Sequence, residues 1–395
     1  LLPEDWAGDT NFRNDSNNSP WGAFTLLDPV SLDTVSLSDV TNGSGGFHVQ
    51  PDDFPGCRVD LGNGLCIDDN NSSGSVAERY NTNAERTVSN GVERLNLFLT
   101  SRYEFSPAIE IYGEAGYYHS DSYAERAGSA QLTAGFEVIP ASNYYNPFGP
   151  AGSANRIEGI GTPDEGYAVL LRRYRLVDAG PRKITVENDS WRLLGGARGD
   201  FAGWDWDSAF LVSEAETDDT TIRTSNTLFA EALALDTPNA YNPFNGGGLP
   251  ISNSGDTTPS DHDTINSFLV PVSRVSTTKL SLVDFKVSKA DLLSIWSGDI
   301  GAAFGVEFRH EEYEDDRDPR LDGTINFINE VTGEETSDVM GSSPTLDSKG
   351  DRDVFSAYAE ASIPLVSEEM NVPLVQALDL QLAARYEDYD LFGAV

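Results

Sequence analysis

The chain has 395 residues and carries 64 acidic against 26 basic side chains, a formal net charge of -38 at pH 7. Such a surface repels phosphates, which excludes nucleic acid as a partner and argues against docking on anionic lipid. No run of about 18 apolar residues occurs, so no transmembrane helix is expected.

Leu1-Leu-Pro-Glu-Asp-Trp6 shows neither the basic nor the apolar region of a signal peptide, so the expectation is a chain that begins inside a mature protein or is a fragment. From Leu1 to about Asn90 the composition is rich in Asn, Asp, Ser, Gly and Pro, with extremes at Asn14–Pro20 and Asp68–Gly74. This predicts a long loop region, residues 1–92, with one or two short strands between Ala23 and Val40. The only two cysteines, Cys57 and Cys66, lie there with eight residues between them, flanked by Pro-Gly and Gly-Asn-Gly turns. A local disulfide is the economical reading, because the spacing does not match a zinc ligand pair and His48, His119, His262 and His310 are far apart.

At Glu93 the pattern changes to strict alternation. Leu95, Leu97, Leu99, Tyr103 and Phe105 share one face, and after the turn Ser106-Pro-Ala108 the face continues through Ile109, Ile111, Gly113, Ala115 and Tyr117. Asn96, Thr100, Arg102, Glu104, Glu110 and Glu114 point the other way. A long polar excursion runs from Ser120 to about Lys183, within which Tyr167–Val177 and Arg182–Glu187 read as a hairpin across Asp-Ala-Gly-Pro. Trp191–Arg198 then turns at Gly199–Gly203 and returns as Trp204–Ser213, followed by a loop from Glu214 to Ser273.

The same grammar recurs twice. Ser276–Ser288 pairs with Ile300–Arg309, with a bulge expected between Leu282 and Val283, and Arg352–Ile363 pairs with Ala377–Glu387 across a turn that contains proline. Short and long connections alternate throughout. Eight strands with short turns at one face and long acidic loops at the other describe an antiparallel up-and-down transmembrane β-barrel over residues 93–395. Gly113, Gly116, Gly195, Gly196, Gly301 and Gly305 inside the strands mark curvature or close contact, and Tyr117, Tyr118, Trp191, Trp204, Trp206, Tyr358 and Tyr386 are candidates for interfacial girdles.

Glu311 to Asp353 holds fourteen acids, read either as solvated loop surface or as a gatherer of cations. No nucleophile motif, phosphate loop or Cys/His cluster is present, so neither an enzyme, a cofactor nor a metal centre is expected, and Phe244-Asn-Gly-Gly-Gly248 lacks the lysine of a phosphate cradle. One feature repeats inside the long loops: Tyr144-Tyr-Asn-Pro-Phe-Gly149 and Tyr241-Asn-Pro-Phe-Asn-Gly246. It is either a packing device or an aromatic platform for an extracellular ligand, with Tyr144, Tyr145, Phe148, Tyr241 and Phe244 as contacts.

Taken together, the Leu95–Tyr118 hairpin, the paired Asn-Pro-Phe loops, the Trp191–Trp206 hairpin and the closing Leu380–Tyr389 strand resemble the barrel of a TonB-dependent outer-membrane receptor. Members have an N-terminal plug, a TonB box and 22 strands. The resemblance implies a central fragment of about eight strands in the outer membrane of a Gram-negative bacterium, lacking the plug and the last strands. It also implies energy-coupled import of a scarce solute: an iron chelate such as a siderophore, a cobalamin-like cofactor, or an oligosaccharide or other glycan. The implied partners are the TonB complex acting through the plug, outer-membrane lipid, the small solute and a surface lipoprotein. The alternative is a secreted or surface all-β adhesin whose acidic loops bind calcium.

Overall fold

The computed structural model describes residues 16–62, 64–69, 80–83, 85–131, 137–248, 260–391 and 393–394. The features expected at residues 1–6, 14–15, 70–74, 392 and 395 lie outside them. In chain order the strands are β1 (Ala23–Leu27), β2 (Gly46–Pro51), β3 (Cys57–Gly62), β4 (Leu65–Asp68), β5 (Gly91–Ser106), β6 (Ile109–Arg126), β7 (Glu137–Ile139), β8 (Ala168–Arg172), β9 (Arg182–Phe201) and β10 (Trp204–Thr224). Then follow β11 (Leu269–Ile295), β12 (Gly298–Arg317), β13 (Asn326–Ile328), β14 (Glu335–Ser337), β15 (Ser348–Val366), β16 (Leu378–Tyr389) and β17 (Gly393–Ala394). Three short helices, α1 (Asn226–Leu233), α2 (His262–Ser267) and α3 (Pro319–Asp322), sit between the long strands. The fold is therefore all-β and antiparallel.

Nine strands form one open sheet in the order β17-β16-β15-β12-β11-β10-β9-β6-β5. The eight strands predicted for the barrel are all in it, each paired with its predicted neighbour, but the ends of the sheet do not meet to close a barrel. Turns are tight where the sequence is short: between β9 and β10 only Ala202 and Gly203 intervene, both with positive φ (55° and 76°), as a two-residue hairpin turn requires. That is shorter than the expected turn over Gly199–Gly203, because Gly199 already pairs with Trp206. The expected bulge at Leu282 and Val283 is absent: these residues pair in unbroken register with Arg309 and Phe308, and the irregularity falls between Lys289 and Leu293 instead.

The long connections are not open loops. Six short strands, ordered β3-β4-β2-β1-β8-β7, build a second sheet that draws on both the first ninety residues and the excursion after β6. Accordingly β8 pairs with β1 and β7, while Arg182–Glu187 belongs to β9 and pairs with β6, which corrects the hairpin expected between them. The principal hydrophobic core of the protein lies here, not in the large sheet. Phe244, Phe24, Phe47 and Phe148 form a chain of rings with centroids 5.1 to 5.3 Å apart, and Tyr241 packs with Phe229, Phe268 and Tyr174. We refer to this unit as the cap.

Candidate functional site

Side-chain alternation gives the nine-stranded sheet two different faces. One row runs through the register as Tyr103, Ile111, Ala197, Ser208, Phe285, Val306, Ala357 and Tyr386, all on the same face. The residues that share this face above and below it include Leu97, Leu99, Leu193, Phe210, Val283, Phe304, Phe308, Phe355 and Leu382, each exposed by 44% or more. Apolar surface of this extent is left open across the whole width of the sheet, far beyond the patches that soluble monomers tolerate.

The upper border of this apolar face is systematic. Counted from that row, the first charged or histidine side chain on the face is His119 at eight residues on β6 and Asp189 at eight on β9. It is Glu214 at six on β10, Lys279 at six on β11, His310 at four on β12, Asp353 at four on β15 and Asp388 at two on β16. The border thus slides by one residue per strand. With a rise of about 3.3 Å per residue and about 4.8 Å between strands, a level border inclines the strands by roughly 35° to its normal. At that inclination the apolar stretches Trp191–Phe201 and Leu378–Tyr386 are about 27 and 22 Å tall.

The opposite face is polar and cross-linked. Arg198 pairs with Glu110 (2.6 Å), Arg192 with Glu114 (2.5 Å), Lys286 with Asp207 (3.6 Å) and Arg352 with Glu311 (2.5 Å), each between neighbouring strands. The Tyr112 hydroxyl donates to Asp207 (2.9 Å). Arg102 and Glu104 lie on this face of β5 by alternation. A cavity of about 880 Å³ opens over it, with Phe98, Tyr118, Arg192, Glu311 and Arg352 among its walls, so the sheet curls toward its polar side. Two glycines allow tyrosines to lie flat there: a Cβ on Gly196 would come within 2.4 Å of Tyr112, and one on Gly305 within 2.2 Å of Tyr358. Tyr118 and Tyr358 therefore face the cavity side and leave the set of girdle candidates. Tyr117, Trp191, Trp204, Trp206 and Tyr386 stay on the apolar face.

The five aromatic candidates for ligand contact take another place. Phe148 and Tyr241 are wholly buried, Phe244 is 5% exposed, and Tyr144 and Tyr145 are half-buried against each other. The repeated motif is a packing device. In both copies the asparagine side chain accepts the N–H of the phenylalanine two residues on, Asn146 from Phe148 (2.9 Å) and Asn242 from Phe244 (3.0 Å), so the turn drives the ring into the core. Asn143 then ties the two loops together by donating to the carbonyls of Leu233 and Tyr241. Phe148, Tyr241 and Phe244 are thus held inside the core, while Tyr144 and Tyr145 keep part of their rings exposed.

Cys57 and Cys66 are free thiols, the first exposed and the second buried. The β3–β4 register sets Cys57 opposite Asp68 and Cys66 opposite Asp60, and the two thiols still lie within hydrogen-bonding reach of each other. Burial, with the Cys57 thiol adding to it, pushes the Cys66 thiol well above its ordinary range. Among the described residues no three His, Cys, Asp or Glu side chains converge in a way that could hold a metal ion.

No known family's sequence profile matches the chain, and no curated protein does. Among solved structures it is similar to a mutant of the ferric enterobactin receptor from Pseudomonas aeruginosa in complex with enterobactin, at 13% identity and a TM-score of 0.23. The match covers 94% of this chain and 51% of the receptor, so the chain spans about half the length of that protein. A likeness this low carries no argument about function. No helix among the described residues is long and apolar enough to cross a membrane, which says nothing of crossing by strands.

Proposed function

We propose that the nine-stranded sheet is the membrane wall of an outer-membrane β-barrel receptor of the TonB-dependent kind, with the cap folded on its outer side. The observation that carries this reading is the exposed apolar face: its height matches the band of about 25 Å that outer-membrane barrels present to lipid, and its one-residue slide per strand matches their strand tilt of about 35–45°. The ion-paired polar face lines the lumen, and the aromatic rings at Trp191, Trp204 and Trp206 stand near the two borders, where headgroups suit them. In this reading the receptor imports a scarce solute, with an iron chelate, a cobalamin-like cofactor and an oligosaccharide as the candidate classes, and the TonB complex supplies the energy.

The calcium-binding adhesin reading requires the apolar face to pack on a second sheet. Among the described residues that face is exposed and the second sheet lies in the cap, with its own core. The deciding experiment is quenching of tryptophan fluorescence in the reconstituted protein. Lipids brominated along the acyl chain should quench the belt tryptophans, and aqueous acrylamide should reach them poorly. Strong acrylamide quenching, with none from brominated lipid, would show that the apolar face is not in a bilayer.

A further inference from the structure

A second cavity, of about 250 Å³, lies away from the lumen, between Gln131, Glu137 at the first position of β7, the start of α1 and the β13–β14 hairpin. Gln131 lines it. This side chain is 2% exposed, yet neither its Nε2 nor its Oε1 has a hydrogen-bond partner among the described residues. Buried carboxamides are normally satisfied, and one that meets no partner while facing a cavity marks a place where a donor and an acceptor fit together.

Glu137, 3% exposed, stands in the same wall, and Glu334 and Glu335 are at its edge; no Lys or Arg is among the described lining residues. Burial and the carboxylates of Glu330 and Asp338 push the Glu137 carboxyl well above the usual carboxylate range. Asp338 is engaged elsewhere, accepting from the Ser225 hydroxyl (2.7 Å) and the Thr227 N–H (2.8 Å) and pairing with Arg320 (3.0 Å). A positive charge entering the cavity relieves these repulsions together. Phe327 and Met340 add apolar surface to the lining.

We propose that this cavity binds a small polyhydroxylated primary ammonium, the chemistry of an amino sugar. The ammonium donates to Glu137, ring hydroxyls accept from Gln131 Nε2 and donate to its Oε1, and the C–H face of the ring lies on Phe327. The volume suits one monosaccharide unit. The inference does not depend on the sheet lying in a membrane, since every residue it uses is in the cap or on the hairpin between β12 and β15.

Calorimetric titration of the whole 395-residue protein with glucosamine, at near-neutral pH where its amine still carries charge and the raised Glu137 carboxyl is more fully ionised, tests the proposal. Saturable binding is expected, with glucose and N-acetylglucosamine at least tenfold weaker, and with a loss of at least tenfold in both Glu137→Gln and Gln131→Leu. Glu137→Gln removes a buried acid that no basic group among the described lining residues neutralises, so its thermal midpoint should equal or exceed the parent's, which separates lost binding from lost folding. Equal binding of glucose, no saturable binding by the parent, or undiminished binding by both variants would overturn it.

Discussion

Val306 occupies the middle of the apolar stretch on β12, between Phe285 and Ala357, and is 44% exposed. Replacing it with arginine separates the lipid-facing from the water-facing interpretation by magnitude. At an exposed strand position in water the change should stay within about 0.5 kcal/mol. Near the midplane of a bilayer it should cost about 2–4 kcal/mol. The nearest acids on this face, Asp388 on β16 and Asp353 on β15, are about 12 and about 14 Å away, too far to pair with the new charge. The expected loss is therefore about 3 kcal/mol, or roughly a hundredfold in the folded-to-unfolded ratio. Urea titration of the protein in lipid vesicles, followed by tryptophan fluorescence, measures it. Glu314→Arg, on the same face but above the border, is the internal control and should change stability by less than about 0.5 kcal/mol. If Val306→Arg costs no more than Glu314→Arg, the apolar face does not meet lipid and the reasoning fails.

Three further outcomes follow from the geometry. Gly196→Ala should cost about 1–3 kcal/mol in the same titration, because its Cβ meets both the Tyr112 ring at 2.4 Å and the Ser208 carbonyl at 2.8 Å, whereas Gly195→Ala, with open space around it, should be near neutral. Equal effects would mean that the tyrosine does not lie over the glycine. Maleimide should label Cys57 quickly and Cys66 only on unfolding, since the second thiol is buried and its proton is held more tightly; resistance of both until a reductant is added would show a disulfide. The Asp28 carboxylate accepts the backbone N–H groups of Ser31 and Val30, which hold its pKa below the usual value. Its contribution is thus present above the unfolded value of about 3.9 and lost as pH falls through the folded one. An NMR titration giving an unshifted Asp28 would refute that turn.

The wall of the molecule was legible in the sequence because its signal is local. Strict alternation from Leu95 to Tyr117, or from Leu378 to Tyr386, assigns the faces without knowledge of the partner strand, and tight turns force adjacent strands to pair. Strand length was less legible. β10 continues through Thr217-Asp-Asp-Thr-Thr-Ile222 and β11 begins at Leu269, where no apolar period marks the pairing. The cap was hidden for a different reason. Its contacts join Phe24 to Phe244 and Asn143 to Leu233, residues far apart in sequence, and no periodicity announces such a core. The Asn-Pro-Phe repeat was visible as a motif, but whether its rings turn inward depends on what faces them.

The sliding border has a consequence for how such a wall can change in size. Each hairpin lowers the border by two residues, and two residues is also the side-chain period of a strand. Copying a hairpin therefore keeps every apolar residue outward and preserves the slant. Copying a single strand would reverse the chain direction and exchange the ends at which the short turns and the long connections lie. A sheet of this kind is therefore most simply lengthened or shortened in pairs of strands, because a pair keeps the border, the two faces and the chain direction together.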